Sequence, residues 1–134
     1  MRKLRSSRRG SNAIEFALTL PIFVILLSGM IDFSWYFFTG WRVSSAVREG
    51  VRVASLTPLY DDPVSRATTA VSNAGTAYDV TWASGSPSAQ IIGTIPDRGI
   101  RVDAEAEVPP LIGILPITPT SVRYEAVMRL EDQS

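Results

Sequence analysis

The chain has 134 residues, no cysteine and no histidine, with 13 basic and 13 acidic side chains. The missing thiols and imidazoles exclude disulfide staples, thiolate metal sites, Ser-His-Asp and Cys-His nucleophile arrangements, and the usual neutral-pH acid/base residue. The zero net charge conceals a basic end. Arg2, Lys3, Arg5, Arg8 and Arg9 precede Gly10 with no acid among them, leaving eight basic against thirteen acidic residues elsewhere. Basic residues gathered beside an apolar run, and not on a domain face, speak against nucleic-acid binding.

Behind this leader, Gly10 to Trp41 reads GSNAIEFALTLPIFVILLSGMIDFSWYFFTGW. No charge occurs from Phe16 to Ile31, and after Asp32 the apolar character resumes with Phe33, Trp35, Tyr36, Phe37, Phe38 and Trp41. A bilayer core needs about 20 mostly apolar residues in helical form. The stretch therefore reads as a membrane helix with Asp32 at its far surface. A signal peptidase I substrate has a shorter apolar core followed by small residues in an A-x-A-like pattern. Here the run is too long and the glycine precedes it. A cut at Gly10-Ser11 would keep the helix and expose a new amino group on Ser11.

RRGSNAIEFALTLP resembles the prepilin-type site of the type IV pilin superfamily, where a peptidase cuts after glycine and the fifth mature residue is glutamate. Glu15 is fifth from Ser11, and Phe16 follows it. More narrowly, GSNAIEFALTLPIFVILLSGMIDF together with REGVRVA at Arg48 to Ala54 resembles the TadE-like family, minor pilin-like components of the tight-adherence (Flp) pilus system. Asn12, Val51 and Val53 depart mildly from that pattern. The resemblance implies a pseudopilin cut at Gly10 and held in the inner membrane, its N-terminus cytoplasmic and its head outside. It also implies partners: a prepilin peptidase, other minor or major pilins, the Tad/Flp inner-membrane platform and membrane lipid. Ser11 and Glu15 share a helix face. A carboxylate near a helix N-terminus is favoured by the helix dipole, and intramembrane acids tend to have a partner. One reading pairs Glu15 with the Ser11 amine of a neighbouring subunit and so sets the axial register. The other leaves Glu15 a solvated interfacial carboxylate.

Pro21 removes one backbone hydrogen bond and predicts a bend near Ala17 to Pro21. Gly29, beside Ser28, permits close approach of another helix. Asp32 lies about 32 Å along the helix from Ser11. It reads as an interfacial or packing acid, with a helix-contact role open. Trp35, Tyr36 and Trp41 then fall where amphipathic rings collect. The five leader cations outnumber Arg42, Arg48 and Arg52 beyond the span, a bias toward N-terminus inside.

Arg42 to Leu56 continues the helix, with Val43, Ala46, Val47, Gly50, Val51 and Ala54 on one stripe. Arg48 and Arg52 lie on another face, with Glu49 within reach of Arg52. Pro58 ends a rod of about 65 to 70 Å. The expected division is leader 1–10, transmembrane and extended helix 11–57, and a small head 58–134.

In the head, Asp62-Pro63 starts a short helix over Val64 to Ala74, ended by Gly75. Tyr78 to Ala83 is a strand candidate, Gly85-Ser86-Pro87 a turn, and Ile91 to Ile95 a short strand. Arg101 to Val108 and Ser121 to Glu131 alternate apolar and charged residues, as in an antiparallel sheet with one wet face. Arg123 and Arg129 are expected across from the acids of the first of these strands. Asp103, Glu105 and Glu107 read as a solvated strand face and not as a metal or acid/base site. Between the two strands, Pro109 to Pro119 is apolar and proline-rich. It either folds back over the sheet or shows an apolar patch to another subunit. The fold class is α+β: a long N-terminal helix and a head of one short helix and three to four antiparallel strands.

No serine elbow or phosphate loop occurs, so an enzyme is not expected, nor a cofactor, a metal or a small-molecule substrate. The main reading is an assembly subunit. The alternative is an uncleaved signal-anchored envelope protein with a small binding domain.

Overall fold

The computed structural model describes residues 8–94 and 96–130, and the backbone alone of residues 8–11. One helix, α1 (Arg8–Ser55, 48 residues), carries both the apolar stretch and the amphipathic one, and Pro21 lies inside it without ending it. At 1.5 Å per residue it is about 72 Å long. A 3-10 turn (Leu59–Asp61) leads to α2 (Pro63–Ala77), followed by β1 (Thr81–Trp82), β2 (Ser88–Ile92), β3 (Gly99–Glu107) and β4 (Ser121–Arg129). The result is an α+β chain whose sheet is antiparallel throughout.

β3 is the centre of the sheet. β4 pairs along its whole length on one edge, from Gly99↔Arg129 to Glu107↔Ser121. The other edge is shared: β2 covers Gly99 to Asp103, and β1 covers Ala106 and Glu107. In the gap between them the Glu105 N–H donates to Ser86 Oγ at 2.7 Å, and Ala83 N–H donates to the Glu105 carbonyl at 2.9 Å. The expected Gly85-Ser86-Pro87 turn thus carries the ladder across the break.

Strand alternation sorts the two faces of the sheet. Ile100, Val102, Ala104 and Ala106 point inward and are fully buried. Outside, Asp103 faces Glu125, a repulsive pairing of like charges, and diagonal cations relieve it. Arg123 Nε donates to Asp103 at 2.8 Å, and Arg101 Nε lies 3.0 Å from Glu125 as an ion pair without hydrogen-bond alignment. The Asp103 carboxylate beside it holds the Arg123 guanidinium above its usual pKa. Each pair keeps at least one side chain well exposed to water, so each contributes about 1 kcal/mol.

The core forms where the α1 stripe meets α2 and the inner sheet face. Val43, Ala46, Val47, Val51 and Ala54 are buried with Ala67, Val71 and the β3 apolar residues. Asp62 caps α2, its side chain accepting from the Ser65 N–H at 3.2 Å with Pro63 at the first helical position. The two helices pack tightly at Gly50: a Cβ there would run into the Val71 side chain and crowd the Ala67 carbonyl at 3.1 Å.

Several expectations are corrected. α2 does not stop at Gly75 but continues to Ala77, because Gly75 is the floor on which the Trp82 indole lies and not a helix terminator. β1 is only Thr81–Trp82, since Tyr78 caps α2 and Asp79 adopts a left-handed φ of 55°. β2 is shifted to Ser88–Ile92, and Ile95 is outside the described residues. β4 ends at Arg129, and Glu131 also lies outside them. Arg129 does not face the acids of β3. It stands opposite Gly99 and pairs with Asp97 at 3.0 Å.

Substituting Gly50 by Val should lower the stability of the head by about 1–3 kcal/mol through overpacking. At Gly40 a Cβ would meet Val122 at an ordinary 3.5 Å. There Ala should be neutral or stabilising by up to ~1 kcal/mol, because it is the better helix former. Chemical denaturation of the detergent-solubilised chain, followed by near-ultraviolet circular dichroism, checks both.

Candidate functional site

α1 changes character at Ser28. From Asn12 to Leu27 every side chain is exposed, including Ile14, Phe16, Leu18 and Ile22. A helix apolar on all sides and left uncovered by the described residues requires apolar surroundings. Its length and hydropathy suffice to cross a membrane. From Ser28 onward one face is covered: Ser28, Gly29, Asp32 and Thr39 are buried, then the core stripe begins at Val43.

The cover over Ser28 to Asp32 is the proline-rich segment Pro109–Thr120. It folds back not over the sheet but onto α1 of its own chain, and it leaves Leu111, Ile114 and Ile117 exposed. Its neck is closed by the Val108 N–H donating to the Thr120 carbonyl at 2.8 Å. From there it descends until the Leu115 side chain lies against Gly29, where an added Cβ would stand 2.8 Å from Leu115 Cδ1. The Thr118 hydroxyl donates to the Leu115 carbonyl at 3.3 Å.

At the tip, Asp32 is 1% exposed. The Ile112 N–H donates to its Oδ1 at 2.8 Å and the Gly113 N–H to its Oδ2 at 3.1 Å. Two consecutive N–H groups on one carboxyl group need a tight turn, and Gly113 supplies it with a φ of +68°. Burying a carboxyl group is costly unless its oxygens are hydrogen-bonded, and each such bond to a charged acceptor contributes about 1.5–3 kcal/mol. Asp32 is therefore the packing acid of a clasp between helix and loop, not an acid facing water at the membrane edge.

Above the clasp the helix carries an aromatic collar. Phe38 and Trp41 stack at 6.5 Å, Trp35 and Phe38 meet at 6.3 Å, and the Arg42 guanidinium lies 4.2 Å from the Phe38 ring centroid. Higher still, Arg48 Nη2 donates to the Tyr124 hydroxyl at 3.0 Å, tying α1 to β4. The Ser44 hydroxyl and the Arg48 guanidinium, both favouring phenolate, hold the Tyr124 pKa below its usual value.

The residues singled out from the sequence fall into three groups. Gly29, Asp32 and Arg48 make contacts within the chain, with Leu115, the loop N–H groups and Tyr124. Glu49 and Arg52 pair with each other on the surface, at 2.7 Å. Glu15, Phe16 and Pro21 stand on the uncovered half of the helix. Among the described residues no ion pair includes Glu15, whose carbonyl accepts the Thr19 hydroxyl at 2.9 Å. Gly10 and Ser11 lie in the α1 backbone, while leader residues 1–7 are outside the described residues. Sequence reasoning missed Ile112, Gly113 and Leu115. The available signal was an isolated acid in an apolar run and an uncharged loop with a glycine at its tip.

Residues 10–52 match the family model for TadE-like protein. The match starts at the glycine before the free helix and ends within the core stripe. The TadE-like segment thus includes Glu15, Gly29, Asp32 and Arg48, and leaves out α2, the sheet and the loop that closes on Asp32. No curated protein and no solved structure matches the chain.

Asp32→Ala should strip both loop donors of their acceptor. Amide hydrogen exchange at Ile112 and Gly113 is expected to rise roughly 10- to 100-fold, the equivalent of about 1.5–3 kcal/mol. Exchange in β3 should stay unchanged.

Proposed function

We propose that the chain is a minor pilin-like subunit of a Tad/Flp pilus, made with a basic leader and cut by a prepilin peptidase between Gly10 and Ser11. The observation that carries this reading is the TadE-like match beginning at Gly10, with Glu15 fifth from Ser11 on a helix half that none of the described residues covers. The bare half suits lateral packing, first among lipids and then among the helices of other pilin subunits. Glu15 then pairs with the new Ser11 amino group of a neighbouring subunit and sets the axial register between helices. The five leader cations keep the N-terminus in the cytoplasm, α1 crosses the inner membrane once, and the head stands outside it. The partners are the peptidase, the other pilins and the Tad/Flp platform. The role is structural and not enzymatic.

The alternative is an uncleaved signal anchor with a small extracytoplasmic binding domain. Mass spectrometry of the protein from its own cell envelope separates the two. The proposal expects a mature N-terminus at Ser11 with the helix retained, and blocked processing in Gly10→Val. Glu15→Ala should be cut normally yet fail to co-purify with other pilins. An intact leader in the wild-type chain would sink the processing claim. Normal co-purification of Glu15→Ala would sink the pairing.

A further inference from the structure

The Pro109–Thr120 loop exposes an apolar surface at a particular height on α1. Leu111, Ile114 and Ile117 are 58%, 50% and 69% exposed, and no residue from Val108 to Val122 is charged. Such a patch on an aqueous surface would be a liability. Its attachment point decides what surrounds it. Asp32 is 17 residues beyond Glu15, about 26 Å along the helix. The hydrocarbon core of a bilayer is about 30 Å thick. With Glu15 at the cytoplasmic boundary, the clasp lies just inside the outer one. The next charge along α1 is Arg42, about 15 Å further.

A groove of about 510 Å³ runs between helix and loop at this level, lined by Leu27, Met30, Ile31, Ser34, Trp35, Phe38 and Leu111. Leu27, at one end of its lining, is also the last residue of the bare apolar half of α1. The polarity pattern fits one setting. The only charged group between Phe16 and Trp41 is Asp32, and the loop backbone seals it from its surroundings.

We infer that the Pro109–Thr120 loop is a second membrane element, dipping beside α1 into the outer leaflet so that lipid acyl chains cover Leu111, Ile114 and Ile117 and fill the groove. The head is then held at the bilayer by two attachments, the helix and the loop. Asp32 lets the loop sit there by satisfying two backbone donors that acyl chains cannot. The inference rests on α1 crossing the bilayer, and the test separates the two claims.

The natural absence of cysteine makes single-site labelling direct. Full-length chains carrying Ile114→Cys, Ile117→Cys, Phe23→Cys or Thr69→Cys are labelled with an environment-sensitive fluorophore. Each is reconstituted at low protein-to-lipid ratio into phosphatidylcholine–phosphatidylglycerol vesicles containing acyl-chain spin-labelled lipid. Phe23 reports the span, and Thr69, exposed on α2, reports water. The loop labels should be blue-shifted and quenched by the spin-labelled lipid several-fold more than the Thr69 label. Loop labels that behave like Thr69 while Phe23 is quenched would overturn the loop's insertion and leave the span intact. An unquenched Phe23 label would overturn both. Loop labels shielded from lipid quencher and from aqueous iodide alike would put a second protein copy over the loop, and would also overturn the proposal.

Discussion

Two backbone N–H groups on one buried carboxyl group decide how this molecule is put together. Asp32 stands alone in an apolar run, and its oxygens accept from Ile112 and Gly113, some 80 residues away in the chain. Without those donors a carboxyl group at this height on α1 would be costly to bury. Without Asp32 the loop tip would have two unmet donors beside apolar side chains. Each anomaly satisfies the other, so the loop has one place to go.

This contact changes what counts as the head. A folded unit of roughly 75 residues with no disulfide is marginal alone. Here it is completed by α1, whose stripe from Val43 to Ala54 supplies a large part of the buried core. Gly50 brings α2 close, Arg48 reaches Tyr124 on β4, and Gly29 receives Leu115. The C-terminal half of α1 is thus bound along one face by its own chain. Among the described residues, nothing buries a side chain of the N-terminal half, from Asn12 to Leu27. A half that packs on the head and a half apolar enough to cross a membrane are divided along a single helix. The TadE-like match covers the uncovered half and most of the part of α1 that receives the head.

What was legible in the sequence was whatever repeats with the period of the backbone. The stripe of Val43, Ala46, Val47, Gly50, Val51 and Ala54 follows the helical period, and all six are buried. The β3 alternation likewise sorts Val102, Ala104 and Ala106 inward. The short edge elements were less legible. Gly75 looks like a helix stop from its neighbours, yet its reason is the Trp82 ring arriving from β1. β2 owes its bounds to its register on β3 more than to its own residues. The clasp was least legible, because its donors are main-chain groups that every residue possesses. Only the oddity of its two halves marked it: a lone acid in the helix and an uncharged, proline-rich loop.

The central claim is that the loop returns to α1 of the same chain. Its most direct test is proximity in native membranes, using Gly29→Cys with Leu115→Cys in the otherwise cysteine-free chain and a short thiol-reactive cross-linker. After proteolysis between the two positions, the account predicts that both fragments stay joined at the mass of one chain. Separate fragments, or a link only between two chains, would contradict it.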